Sequence, residues 1–355
     1  MSRRRLRVAV PPHVASLTED SGHGKLWSHV LGQLRRSAKV EIRDPGASSR
    51  RGRRAPDVWL LDGHAGPPFD ALAGTPVVAE VHEASWANPA LRRYLDPAFG
   101  ELMAARTQAT MEVAAHVITL SRSARDEVVE AFGLDPARVH AVLLGVDQEC
   151  FRPGLPGGRE LVAAAGGGVH RPYVLFVGVV HPRKNLEAVR DALASLAQRG
   201  FGHVLAVVGG DPADRPDSRE LQRAARAELP GAPGRIVFVE HPSEPELAAL
   251  MAGADALCLP SFWEGFGLPA LEAMACGTPV VVSDRGSLPE VVGDCGLVIE
   301  PTAAAVEQAL ASVLSEPGRA ERLGAAGRAR AEQLTWERTA AGWLEVLELA
   351  AEAGE

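Results

Sequence analysis

The sequence predicts an α/β chain that forms two doubly wound parallel sheets, one in each half. Short apolar runs of strand length alternate with longer segments whose apolar residues recur at helical spacing. This alternation is typical of parallel sheets with helices on both faces. The 355 residues are enough for two domains. Residues 153–171 are rich in glycine, proline and alanine, which is a linker composition, and the domain boundary is placed there.

The first domain is predicted over residues 1–160. Residues 25–36 carry apolar side chains at helical spacing, and a long helical stretch runs from about 89 to 114. Another helix starts near residue 121, with Ser121 or Ser123 as its N-cap. Strands are predicted at residues 5–10, 40–43, 57–61, 76–81, 115–120 and 139–143.

The second domain is predicted over residues 161–334 and repeats the pattern. Asn185 is placed to cap a helix over residues 186–198. Helices from residue 302 onward close the chain, and residues 335–355 form a separate terminal helix. Strands are predicted at residues 172–178, 203–209, 236–240, 255–259, 278–283 and 297–299.

The composition is that of an ordinary soluble protein, with 46% hydrophobic and 23% charged residues. No apolar run approaches the roughly 20 residues that a membrane span needs. The apolar part of the start is too short for a signal peptide and is interpreted as a strand. The formal charge of −8 argues against a general nucleic-acid binder. The four cysteines show no C-x-x-C spacing, which favours free thiols in the cytoplasm.

Basic residues crowd the start of the chain. They are Arg3, Arg4, Arg5, Arg7, Arg35, Arg36, Lys39, Arg43, Arg50, Arg51, Arg53 and Arg54. A solvated surface with a flexible loop near residues 48–54 is the favoured interpretation. The alternative is an anionic partner, either an acidic acceptor or the inner membrane face, where the protein would then be peripheral.

Residues 255–284 predict a strand, a loop, a helix and a second strand. Glycines and prolines break the first strand, Pro269 fits the start of the helix, and Gly277 fits its C-terminal cap. The free backbone N–H groups and the positive end of the helix dipole at this mouth suit an anion such as phosphate.

Two carboxylates, Glu264 and Glu272, bracket this helix mouth. A carboxylate is a poor phosphate ligand, but it accepts hydrogen bonds well from sugar hydroxyls. The eight-residue gap through a loop can bring both towards one cleft. The alternative remains that Glu264 caps the helix and that Glu272 is solvated.

The segment from Glu264 to Glu272 (EGFGLPALE) resembles the E-x7-E signature of retaining GT-B glycosyltransferases, of the glycosyl transferases group 1 type (family 4). Similarity continues through residues 274–280 and 288–293, and residues 144–153 resemble the segment that leads into the family's linker. The resemblance implies a GT-B fold, with two Rossmann-like domains facing a central cleft. The second domain would bind a nucleotide-sugar donor and the first an acceptor. The final helix would cross back onto the first domain.

The resemblance also implies roles for residues of the second domain. Arg183 and Lys184, in the loop that follows Gly178 at a strand end, would hold the donor diphosphate and stabilise the leaving group. Glu272 would hold the ribose and Glu264 the transferred sugar. Backbone N–H groups for sugar or phosphate oxygens would come from Phe266, Gly267 and Leu268.

Four further positions are predicted on weaker signals. Val81-His82-Glu83 resembles the family's H-D segment, in which the histidine approaches the donor sugar, but Glu83 stands where Asp is usual. A packed strand-end histidine is the alternative for His82. Gly22 and Gly24 precede a helix and allow close approach of a phosphate. His241 follows a strand and is placed near the base.

No D-x-D pair and no His/Cys cluster with zinc spacing occurs in the sequence, so no metal or cofactor is expected. The resemblance predicts a retaining hexosyltransferase-type enzyme that uses a UDP- or GDP-linked sugar. Its acceptor, a saccharide, lipid-linked or small molecule, stays unidentified. Two alternatives remain open: a nucleotide-sugar epimerase of the same architecture and a non-catalytic binding module.

Overall fold

A computed structural model describes residues 5–15, 17, 21–37, 39–43, 55–67, 72, 74–94, 96–166, 168–209, 236–316 and 318–353. The chain divides into two compact units: Met1–Gly145 together with Leu334–Glu355, and Val146–Gln333. Within the described ranges, no helix is long and apolar enough to cross a membrane. The arginine-rich residues 50–54 lie outside these ranges, so the two interpretations of that segment stay predictions.

The first unit contains a six-stranded parallel sheet in the order β2-β1-β3-β4-β5-β6. Its strands are β1 (Leu6–Ala9), β2 (Val40–Arg43), β3 (Val58–Asp62), β4 (Val77–Glu80), β5 (His116–Thr119) and β6 (Val139–Ala141). Its helices are α1 (Pro12–Ala15), α2 (Gly22–Arg36), α3 (Pro89–Arg92), α4 (Pro97–Val113), α5 (Arg122–Phe132) and, at the far end of the chain, α13 (Trp336–Ala353). The central strands β3 and β4 are buried along their whole length, which explains their apolar sequences.

The terminal helix α13 packs against α2 and against β3, β4 and β5 of the first unit. Trp27 of α2 and Trp343 of α13 are both fully buried and meet edge to face, with ring centroids 5.3 Å apart. Gly145 comes so close to the main chain of Thr335 and Trp336 that any side chain would collide there. These contacts place residues 334–353 in the first unit.

The second unit contains another six-stranded parallel sheet, in the order β12-β11-β10-β7-β8-β9. Its strands are β7 (Tyr173–Val177), β8 (Val204–Val208), β9 (Ile236–Val239), β10 (Ala256–Leu259), β11 (Val280–Ser283) and β12 (Leu297–Ile299). Its helices are α6 (Gly158–Ala165), α7 (Leu186–Gln198), α8 (Glu244–Gly253), α9 (Leu268–Ala275), α10 (Leu288–Val292), α11 (Ala303–Ser315) and α12 (Arg319–Ala331). The two central strands, β7 and β10, are neighbours, so the loops that follow them lie side by side.

The contact division falls at 145/146, earlier than the 160/161 boundary predicted from composition. The reason is α6, which lies inside the predicted linker and packs against α8 and β9 of the second unit. Gly158 approaches the Ala249 carbonyl so closely that a Cβ atom would collide with it. A segment with linker composition therefore forms part of the second unit.

The predicted strands are present, with ends within two residues of those expected. Ser121 is the N-cap of α5, and its hydroxyl accepts a hydrogen bond from the Ala124 N–H at 3.0 Å. The single helix predicted from about 89 to 114 is wrong. It is interrupted because Asp96 caps a new helix through the Phe99 N–H at 2.8 Å, with Pro97 as its first residue.

Candidate active site

The candidate site of the second unit forms where the loops after β7 and β10 meet. A single helical turn, Pro182–Lys184, follows β7, and residues 260–267 follow β10. Asn185 ends the turn with a left-handed backbone (φ 54°) and stands at the N-cap position of α7. Its side chain does not cap the helix as predicted. It donates instead to the carbonyls of Pro260 and Pro301, at 3.0 and 2.9 Å, and so ties the two loops together.

Lys184 and Glu264 form the central ion pair of this site. The Lys184 Nζ donates to both carboxylate oxygens of Glu264, at 2.6 and 2.8 Å. The Arg183 guanidinium lies 3.8 Å from the same carboxylate and donates to the Trp263 carbonyl at 2.9 Å. The structure therefore brings together three of the predicted residues, although Lys184 and Glu264 are 80 positions apart in the sequence.

Glu264 is buried and held from several sides. The Ser261 hydroxyl donates to its carboxylate at 2.7 Å. The main-chain carbonyl of Glu264 accepts from the Ser287 N–H at 3.2 Å and from the Ser287 hydroxyl at 2.9 Å. Burial alone would raise the pKa of Glu264, but the charges of Lys184 and Arg183 outweigh it and hold that pKa below its ordinary value. The carboxylate is thus a fixed anion at neutral pH.

Gly267 stands at the N-cap of α9 in a left-handed conformation (φ 92°) and provides no side-chain cap to the helix. A Cβ atom at this position would lie 2.5 Å from Leu288 Cδ2. Glycine is therefore favoured both by the left-handed backbone and by the lack of space for a side chain. Phe266 and Leu268 flank it and are buried. Glu272 lies further along α9 and is only 4% exposed, which rules out the alternative of a solvated carboxylate.

Gly178 lies at the end of β7 beside Lys184. Its backbone is in a glycine-favouring region (φ 145°), and a Cβ atom there would meet Lys184 Cε at 3.5 Å. His241 lies elsewhere: it is exposed after β9, the edge strand, which β8 separates from β7. Residues 210–235 fall outside the described ranges.

In the first unit, His82 lies in a cluster of polar side chains at the carboxyl ends of β3 and β4. Its Nδ1 is 3.1 Å from Nε2 of His64 and 3.5 Å from Oε1 of Glu80. His23, at the start of α2, has its ring centroid 4.9 Å from that of His82. Its Nε2 lies 3.6 Å from an Asp62 carboxylate oxygen. The sequence signalled only His82.

Gly22 and Gly24 begin the helix α2 that positions His23. The Ser21 hydroxyl accepts a hydrogen bond from the Gly24 N–H at 3.0 Å and so caps the helix. A Cβ atom on Gly22 would meet no atom within 4 Å, so packing does not require glycine there. Phosphate binding by these two glycines stays a prediction.

His23, Glu80 and His82 offer ligand-type atoms that all lie within 4.8 Å of one another, the spacing at which a metal ion can be considered. The Trp27 indole N–H donates to Nε2 of His23 at 2.9 Å, so this lone pair is already used. Nδ1 of His82 is hydrogen bonded to His64. We therefore interpret the cluster as a proton-sharing network, and the fit to a metal ion is poor.

Comparisons with known proteins agree with this architecture. The family model for glycosyl transferases group 1 matches residues 164–330. Alpha-maltose-1-phosphate synthase of Mycolicibacterium smegmatis is 32% identical over 298 residues, which cover 80% of this chain and 76% of that relative. Sucrose-phosphate synthase from Thermosynechococcus elongatus superimposes with a TM-score of 0.77 at 20% identity, covering 98% of this chain and all of that one. Anabaena Alr3699/HepE in complex with UDP-glucose gives a TM-score of 0.69 at 17% identity, covering 98% and 99%.

Two Rossmann-like units of this topology, with an ion-paired site after the central strands of the second, define the fold class as GT-B. This confirms the predicted fold class. The chain belongs to the glycosyl transferases group 1 family, and it is a glycosyltransferase.

Proposed function

We propose that the chain transfers a sugar from a nucleoside diphosphate sugar to an acceptor hydroxyl with retention of the anomeric configuration. The observation that carries the proposal is the buried pairing of Lys184 with Glu264 beside the uncapped start of α9. Two cations, Arg183 and Lys184, against one carboxylate leave one net positive charge. That charge and the helix dipole suit the diphosphate of a donor.

Glu264 is suited to orient the transferred sugar. An ionised carboxylate offers about four acceptor sites. Lys184 and Ser261 use three of them, which leaves one for a sugar hydroxyl. Glu272, in α9, would accept hydrogen bonds from the ribose. Backbone N–H groups at Phe266, Gly267 and Leu268 would donate to sugar or phosphate oxygens.

The proposed chemistry is a front-face displacement. The bond between the donor sugar C1 and its phosphate oxygen breaks, and the electron pair stays on the phosphate. The acceptor oxygen bonds to C1 from the same face, and its proton passes to that phosphate oxygen. Arg183, Lys184 and the positive end of α9 stabilise the departing charge, so the proposal uses no metal ion. Because Lys184 holds both oxygens of Glu264, this carboxylate is a poor nucleophile for a double displacement.

A donor panel tests the proposal. Thermal melting is measured with UDP, GDP and their glucose and mannose derivatives, because a ligand of the native state raises the melting temperature. The donor that gives the largest shift is then incubated with acceptor panels, and the product anomer is assigned by NMR. A product of retained configuration supports the proposal. An altered sugar nucleotide without acceptor would indicate an epimerase, and no shift with any nucleotide would indicate a non-catalytic module.

A further inference from the structure

We propose that Glu80, His64 and Thr107 are positioning residues that hold His82 as a cation with Nδ1–H turned inward, so that His82 presents only an Nε2–H donor to ligands. The inference rests on the proposed function, because the resemblance of Val81-His82-Glu83 to the family's H-D segment implies that this histidine approaches the donor sugar. It assigns His82 to binding sugar or phosphate oxygens and excludes it as a general base.

The burial of Glu80 requires a compensating cation. This side chain, at the end of β4, is fully buried, and neither of its carboxylate oxygens has a hydrogen-bond partner among the described residues. An unpaired buried carboxylate costs several kcal/mol, so a nearby cation must balance it. In the part of the chain that the structure describes, two basic groups lie within reach: Nδ1 of His82 at 3.5 Å and Nε2 of His23 at 3.9 Å.

His82 and His23 differ in which of them can carry the charge. Nε2 of His23 accepts a hydrogen bond from Trp27 at 2.9 Å, so that nitrogen bears no proton and His23 is neutral. Burial, and then the neighbouring His82, lower the pKa of His23. His82 differs: burial opposes its charging, but Glu80 above all, then Glu83 and Asp62, raise its pKa to about 9. His82 is therefore the cation.

His64 and Thr107 fix the orientation of the His82 ring. His64 is buried, its Nε2 lies 3.1 Å from Nδ1 of His82, and its Nδ1 lies 3.2 Å from the Thr107 hydroxyl. Burial and then the charge of His82 hold the pKa of His64 well below its ordinary value, so His64 stays neutral. A neutral His64 whose Nε2 accepts from His82 must carry its proton on Nδ1, which donates to Thr107. The Trp86 ring packs edge to face against the His64 ring, with the ring centroids 4.5 Å apart.

The charged and titratable groups that face His82 come from three elements. His23 comes from α2, Asp62 ends β3 and His64 follows it, and Glu80 and Glu83 come from β4 and the loop after it. Glu83, which occupies the position of the family's Asp, contributes less to the charge of His82 than the buried Glu80. The orienting carboxylate therefore precedes His82 in the sequence instead of following it. With Nδ1–H bound inward, Nε2–H is the donor left for a ligand.

The test reads the imidazole of His82 directly. The full chain is labelled with ¹⁵N-histidine, His82 is assigned from the signals lost in His82→Gln, and two-bond ¹⁵N–¹H spectra are recorded from pH 5.5 to 9.5. We expect His82 to remain an imidazolium through pH 7.5, and His64 to be a neutral Nδ1–H tautomer. In Glu80→Gln the pKa of His82 should fall towards the ordinary value of about 6.5. In the control Glu83→Gln it should fall less.

Thr107→Val is the second variant, in case Glu80→Gln does not fold. It removes the acceptor of the His64 proton and should change the His64 tautomer signal while leaving the fold unchanged by circular dichroism. A neutral His82 at pH 7.5 in the wild type overturns the inference whether or not sugar transfer is found. Absence of transfer with every donor overturns the proposed function alone, because the imidazole spectra do not depend on turnover.

Discussion

Lys184 reaches across from the loop after β7 to hold both carboxylate oxygens of Glu264 in the loop after β10. The pair joins two neighbouring strands at their carboxyl ends, where open α/β sheets bind ligands. Because Glu264 is buried, the two loop cations carry a structural task as well as the proposed electrostatic one. Substitutions at these residues should affect stability and sugar transfer differently.

Arg183→Ala combined with Lys184→Ala should lower kcat by at least about 10²-fold, since electrostatic stabilisation of the leaving group is lost. The same variant should also melt earlier, because Glu264 is left as an unpaired buried charge. Adding Glu264→Gln should recover the melting temperature but not the transfer. Arg190→Ala with Arg199→Ala, two cations paired elsewhere in the second unit, is the matched control. Full turnover in the first variant would refute the leaving-group role.

The stabilising effect of Glu264 should depend on pH in a defined direction. Its folded-state pKa lies below the ordinary value, so its contribution is present above the unfolded pKa of about 4.3 and is lost as the pH falls through the folded value. The melting temperature of the wild type should exceed that of Glu264→Gln at pH 7, and the gap should shrink below about pH 4.3. Glu101→Gln, at an exposed site, is the control and should change the melting temperature little at either pH. A gap independent of pH would contradict the buried ion pair.

Gly267→Ala should be clearly destabilising, by roughly 2–4 kcal/mol, from the left-handed backbone and the collision with Leu288. Gly200→Ala is a close control, because Gly200 has nearly the same φ (93° against 92°) but open space around its Cβ position. That control should lose only about 1–2 kcal/mol. Urea unfolding of the two variants gives the comparison. Equal losses would mean that the packing against Leu288 is unimportant.

Asn185→Gly keeps a residue that tolerates the left-handed backbone but removes the side chain that ties the two loops together. It should lose about 1–3 kcal/mol, because the carbonyls of Pro260 and Pro301 lose a buried donor. The nucleotide that stabilises the wild type should bind this variant more weakly. Lys184 directly precedes residue 185, so loss of the Asn185 hydrogen bonds should leave Lys184 less firmly positioned. Calorimetric titration with that nucleotide measures the second effect. Unchanged affinity would show that the loop does not depend on Asn185 for its position.

The sheets could be predicted well because six of their inner strands, β3, β4, β7, β8, β10 and β11, are buried on both faces. Strands such as β7 and β8 are continuous runs of apolar residues, whereas apolar residues recur at helical spacing in the flanking helices. The E-x7-E segment and the Arg183-Lys184 pair were found because each is contiguous. Their pairing was not visible, since Lys184 and Glu264 are 80 positions apart and meet only through strand order.

The roles of Glu80, His64 and Asn185 could not be predicted, because they depend on burial and on contacts between residues distant in the sequence. Glu80 ends an apolar strand, and its spacing from other residues matches no metal-binding or catalytic motif. Its importance follows from its complete burial in the structure. His64 gains its role from a neighbour 18 positions away. Asn185 carried a capping signal, but its left-handed backbone turns the side chain towards two carbonyls. The acidic residue Glu80 at the end of an otherwise apolar strand was a sequence feature that could have indicated the His82 cluster.

The close approach of Gly145 to Thr335 and Trp336 has a consequence for biosynthesis. The first unit is assembled from two stretches of chain, and more than half of the polypeptide is translated between them. On the ribosome the second unit can therefore complete its core while the early sheet still waits for the helix that covers Trp27. Nascent chains stalled just before α13 should be more open to proteases and chaperones in their N-terminal part than in the later-made unit.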